Sequence, residues 1–128
     1  MKNLKMTSLV TLVLLGIMGT YASNAEAGWA RFSLIVGYNG SDDADLAPLK
    51  YADDDAIKYA HVLQSVSEKS VLLTSPDKES SRVFGAIKSD RPNRKNILAA
   101  LETLRKDMAK ARKRGDKPVL YFVYSGHG

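Results

Sequence analysis

Apolar and polar positions alternate between short runs and helical periods along the chain after residue 28. Arg31 to Gly37 reads Arg-Phe-Ser-Leu-Ile-Val-Gly, a short apolar run closed by Gly. That pattern predicts a buried strand. A polar loop follows from Tyr38 to Pro48. From Ala52 to Ser67 the apolar residues are Ala52, Ala56, Ala60, Leu63 and Val66. Steps of four and three put them on one face of a helix. Asp53, Asp54 and Asp55 fall in its first turn, where carboxylates complement the helix dipole. Ser70 to Thr74 predicts a second strand. Ser75 to Pro92 is polar and carries Pro76, Gly85 and several Ser, so it predicts a loop with at most one irregular turn. Pro92 and Asn93 open a long helix reaching about Arg114, with Asn93 as the N-cap. Ile97, Leu101, Leu104, Met108 and Ala111 form its apolar face, and Gly115 stops it. Val119 to Tyr124, after Pro118, is apolar throughout, the pattern of a central parallel strand covered on both faces. Strand, helix, strand, helix, strand predicts an α/β fold with a parallel sheet and right-handed crossovers.

The residues before this unit read as an address. Lys2 and Lys5 precede an apolar run from Leu9 to Met18, and Ala25-Glu26-Ala27 closes the segment. A charged start, a short apolar core and an A-x-A site predict a secretory signal peptide over residues 1–27, hence export to a periplasmic or extracellular compartment. The apolar run is too short for a comfortable membrane span, so no stable anchor is expected after cleavage. Residues 28–128 show no internal boundary and are expected to be an incomplete portion of one domain.

Composition narrows the chemistry. The 128 residues carry 19 Lys and Arg against 14 Asp and Glu, a formal charge of +5. The cations cluster at Lys106, Lys110, Arg112, Lys113 and Arg114, near a helix C-terminus, where they complement the dipole. This is not the broad basic surface of a nucleic-acid-binding protein, and no nucleic-acid partner is expected. There is no Cys. Thiolate metal sites, disulfides and a cysteine nucleophile are therefore absent from these residues.

One tetrapeptide points to chemistry. Ser125-Gly126-His127-Gly128 lies directly beyond the third predicted strand. Open parallel sheets bind ligands outside the carboxyl ends of their strands. Glycines on both sides let the backbone turn sharply, and an imidazole there can exchange protons near neutral pH. The amide of Gly128 could face a developing oxyanion. His61, inside the first helix, reads as a half-exposed helical His. Ser125 lacks the G-x-S-x-G setting of a nucleophile elbow. The acidic loop from Asn39 to Asp45 does not follow the EF-hand spacing. Neither a dinucleotide fingerprint nor a P-loop is present, and no cofactor or metal is expected.

Residues 31–128 resemble the first part of the caspase-like (peptidase C14) catalytic domain in its bacterial exported form. Four segments carry the resemblance: Arg31–Gly37, Leu49-Lys-Tyr-Ala-Asp-Asp-Asp-Ala56, Val71–Thr74, and Tyr121-Phe-Val-Tyr-Ser-Gly-His-Gly128. The resemblance implies a three-layer sandwich around a mostly parallel sheet, with only the first βαβαβ portion in these residues. It implies a cysteine-type endopeptidase acting on polypeptides, with His127 as general base and acid and the backbone of Gly128 in the oxyanion hole. The partner Cys is expected about 50 residues after the His, so these residues read as a fragment of a longer reading frame. An inactive pseudo-peptidase or protein-binding module is the alternative. In the animal branch an Arg before the first helix reads an aspartate in the substrate; here that loop offers Leu49 and Lys50, so Lys50 is the substrate-pocket candidate.

Overall fold

The computed structural model describes residues 27–41 and 43–127. The segment predicted as a signal peptide lies outside them, apart from Ala27, as does Gly128. The elements are β1 (Trp29–Gly37), α1 (Ala52–Leu63), β2 (Lys69–Thr74), α2 (Lys78–Phe84), α3 (Arg94–Lys113) and β3 (Lys117–Ser125). The strands form a parallel sheet in the order β2-β1-β3. The protein is thus α/β, built on a small three-stranded parallel sheet.

Strand β1 holds the centre because every residue from Phe32 to Gly37 is buried. Its alternate side chains serve two cores. Ala30, Phe32, Leu34 and Val36 pack with Leu73, Ala100, Leu104 and Ala111 against α3. Ile35 packs with Ala56 and Ala60 of α1, beside Leu72 and Val123. The helices therefore cover opposite faces, as burial of a parallel sheet requires. Ser33 points to the α1 face, where its hydroxyl donates to Ser70 Oγ at 2.7 Å. Gly37 ends the strand beneath α1. A Cβ there would lie 2.3 Å from the Ala56 Cβ and 2.4 Å from the Ala52 carbonyl oxygen, so only Gly lets the helix start so close to the strand.

Four sequence expectations are corrected. Among the described strands the third lies at an edge rather than at the centre: β3 pairs with β1 alone, and Tyr121, Phe122 and Tyr124 are exposed. A continuous apolar run marks burial on average but does not tell a central strand from an edge. Helix α1 ends at Leu63 rather than Ser67, because Ser65 and Val66 donate to carbonyls three residues back and the Ser65 hydroxyl donates to Val62 O at 2.7 Å. That tightening swings Val66 into solvent. The polar segment after β2 contains a helix, α2, which Asp77 caps by accepting from the Ser80 amide at 2.8 Å. In α3 the inner stripe runs through Ile97, Ala100, Leu104, Met108 and Ala111, and Leu101 is exposed. The predicted cap of α3 is present: Asn93 Oδ1 accepts from the Asn96 amide at 2.8 Å.

Leu104 is fully buried at the contact of α3 with β1. Leu104→Ala is expected to destabilise the fold by about 2–5 kcal/mol through lost burial and the cavity left behind. Urea unfolding followed by far-UV circular dichroism measures it, and a midpoint equal to wild type would refute this placement of the core.

Candidate functional site

Parallel pairing brings the carboxyl ends of β1 and β3 side by side, with Gly37 opposite Ser125. The Tyr38 amide donates to the Ser125 carbonyl at 3.0 Å, carrying the ladder one residue past the strand. The chain then turns at Gly126. A Cβ on Gly126 would come within 2.5 Å of the Tyr124 hydroxyl, so a side chain there would displace the Tyr124 ring. That hydroxyl donates to the His127 carbonyl at 2.6 Å and fixes the backbone of the turn. His127 is half-buried, and its Nε2 is buried without a hydrogen-bond partner among the described residues.

A cleft of about 640 Å³ opens here. Tyr124 and His127 line it at the end of β3. Tyr38, Gly40 and Ser41 form one wall, and Arg91, Asn93 and Arg94 form the opposite one. Neither guanidinium forms an ion pair among the described residues. Asp43, also at the rim, carries the opposing charge.

The first wall is held by a buried carboxylate. Helix α1 has no side-chain cap of its own. Asn39 supplies one from the preceding loop: its Oδ1 accepts from the amides of Ala52 and Asp53 at 2.8 and 3.3 Å. Its Nδ2 donates to Asp53 Oδ1 at 2.7 Å. That same oxygen accepts from the Asp54 amide at 2.9 Å, and Asp53 Oδ2 accepts from the Asp77 amide at 2.9 Å and the Ser80 hydroxyl at 2.7 Å. Asp53 is fully buried. Burial alone pushes its pKa up; the bonds from Asp77, Ser80, Asn39 and Asp54 outweigh it and hold the carboxyl below its ordinary value.

Of the residues singled out from the sequence, His127 lines the cleft and Gly128 lies outside the described residues. Lys50 is exposed and does not line the cleft. His61 is exposed on α1, edge-on to Phe84 at 6.4 Å between ring centres. Asn39, Asp53, Arg91 and Arg94 were not singled out as site residues. The two arginines carried a usable signal. They flank the N-terminus of α3, whose first turn holds no acidic residue, and a helix dipole disfavours cations there. Among the described residues no cluster of three or more His, Asp or Glu could hold a metal ion. No family model, curated protein or solved structure matches the chain.

The depressed pKa of Asp53 sets an acid limit. The stabilisation is complete above the unfolded carboxyl's range, near pH 3.8, and is lost as the pH falls through the lower folded value. Glu102 and Asp107, both held near 2, the first by Arg105 and the second by Lys110 and Lys69, add exposed and solvent-screened contributions of the same sign. Wild-type urea midpoints should therefore hold from pH 7 to 5 and drop below about pH 4. Asp53→Asn should start lower at pH 7 and decline less on acidification. Parallel declines would show that Asp53 does not carry the effect.

Proposed function

We propose that the chain carries the histidine-bearing part of a caspase-like cysteine endopeptidase domain, a mostly parallel three-layer sandwich exported by its leader and acting on polypeptides. The observation that carries this reading is the position of His127. It stands at the carboxyl end of β3, on a Gly turn at the cleft, and no described residue hydrogen-bonds its Nε2. Such a nitrogen can take a proton from a thiol and return it to the leaving amine during acyl transfer. The sequence resemblance adds Gly128, whose amide would donate to the oxyanion. The thiol must come from residues other than these 128, which contain no Cys.

That same lack of Cys favours a second reading, a caspase-like pseudo-peptidase that binds polypeptides in this cleft without cutting them. A peptidyl acyloxymethyl ketone, which reacts with a thiolate activated by a neighbouring imidazole, separates the two. The peptidase reading expects labelling of the native protein from its source. His127→Ala should lower peptide cleavage by about 10²- to 10⁴-fold, the usual contribution of a general base and acid. No labelling and no cleavage would overturn the peptidase reading in favour of the binding module.

The cations of the cleft wall, Arg91 and Arg94, which form no ion pair among the described residues, favour a substrate with an acidic side chain. Arg94→Glu is expected to lower the preference for an acidic peptide over its amide analogue about fivefold, the ratio set by ~1 kcal/mol. Competition between the two peptides measures this, and an unchanged ratio would remove Arg94 from substrate recognition.

A further inference from the structure

We propose that Asp53 is a positioning residue of the cleft: it fixes the orientation of the Asn39 amide and thereby holds the Tyr38–Ser41 wall across from His127. The inference rests on the reading of this cleft as a functional site. It concerns the geometry of the wall, so it is tested without any measurement of peptide cleavage.

All four groups facing the Asp53 carboxylate are donors. Two converge on Oδ1, from Asn39 and Asp54, and two on Oδ2, from Asp77 and Ser80. A protonated carboxyl would turn an O–H toward groups that are themselves donating, so this arrangement suits the ionised form. The donor that matters for the cleft is Asn39 Nδ2. With its NH₂ committed to Asp53, the Asn39 oxygen must face the amides of Ala52 and Asp53, as it does. A flipped amide would set its NH₂ against two backbone N–H groups and leave a carboxylate oxygen short of a donor. The carboxylate therefore selects one of two Asn39 orientations, and that one splints the loop to the start of α1.

Asn39 sits between wall residues Tyr38 and Gly40. Its carbonyl accepts from the Leu49 amide at 2.7 Å, so both its side chain and its backbone hold the loop. The adjacent Tyr38 amide is bonded to Ser125 at the root of the His127 turn. The path from Asp53 to the histidine thus runs through two hydrogen bonds and the short stretches of chain between them. The opposite wall has a separate tether: the Thr74 amide donates to Asp90 O at 3.0 Å and the Ser89 hydroxyl to Thr74 O at 3.0 Å. Disturbing Asp53 should loosen one wall and spare the other.

Reversing the pair provides the test. In Asp53→Asn the new amide must turn its NH₂ toward one pair of donors, and the Asn39 bond is lost if it turns toward Oδ1's partners. Adding Asn39→Asp restores an N–H···O bond of opposite direction between the same two side chains, at the cost of the Asp54 amide's acceptor, and Asp at 39 still accepts from both α1 amides. The full chain is compared as wild type, Asp53→Asn, and the Asn39→Asp/Asp53→Asn double variant. Two readouts are used: backbone hydrogen exchange by mass spectrometry, and the His127 imidazole NMR signal in a His61→Gln background. Asp53→Asn is expected to speed exchange over residues 38–41 by about tenfold or more, as for a local opening, and to move the His127 signal, with exchange at residues 89–94 unchanged. The double variant should return both readouts toward wild type. Unchanged wall exchange and an unmoved His127 signal in Asp53→Asn would overturn the proposal. If Asp53→Asn does not fold, a folded double variant with protected residues 38–41 supports it. Failure of both to fold overturns it, because Asp53 would then serve the whole fold rather than the wall.

Discussion

A strand paired on both edges and covered on both faces has no solvent to fall back on, and β1 is such a strand. From Phe32 to Gly37 its backbone donors and acceptors depend on β2 and β3, and its side chains on α3 and α1. A buried backbone group left unpaired is costly, so the register of both neighbours follows from β1. That register then sets the chemistry. Because Gly37 lies opposite Ser125, the ends of β1 and β3 coincide, and the loops that leave them form the cleft that His127 lines. Gly37, where a Cβ would run into the Ala52 backbone and the Ala56 Cβ, is the residue over which α1 begins.

Polar groups at the carboxyl edge meet the same constraint. Helix α1 starts in the interior, where its first amides cannot reach water, and its own N-cap residue, Tyr51, makes no side-chain capping bond. Asn39 and Asp53 take those amides. The buried charge of Asp53 is tolerated because four donors surround it, so a group that would otherwise destabilise the core ties three chain segments together. The helix cap, the cleft wall and the start of α2 thus depend on one carboxylate.

Much of this architecture was legible in the sequence, for identifiable reasons. The five-element α/β order follows from runs such as Phe32–Val36 and from the stripe of Ile97, Leu104, Met108 and Ala111, where local period and tertiary burial agree. Asn93 was legible because capping is local. Helix α2 was not: Ser80 is its one buried residue, so it has no apolar stripe to reveal it. The edge position of β3 was hidden because an apolar run reports average burial and not strand order. In the site, His127 was visible through its flanking glycines, which make a local signature. Asp53 was visible only as a member of an acidic first turn. Its role depends on partners 14, 24 and 27 residues away, and no local pattern encodes them. Arg91 and Arg94 reach the cleft through the tethers of Ser89 and Asp90 to Thr74 and the packing of α3 on β1, all long-range contacts.

The central functional claim is that His127 works with a thiol that lies in the same folded domain. The most direct measurement is the intact mass and peptide map of the native protein from its source. The native polypeptide is expected to continue beyond residue 128 and to carry a Cys about 50 residues after His127, following a further apolar strand. A native polypeptide that ends at Gly128, with no Cys-bearing chain bound to it, would contradict the peptidase assignment.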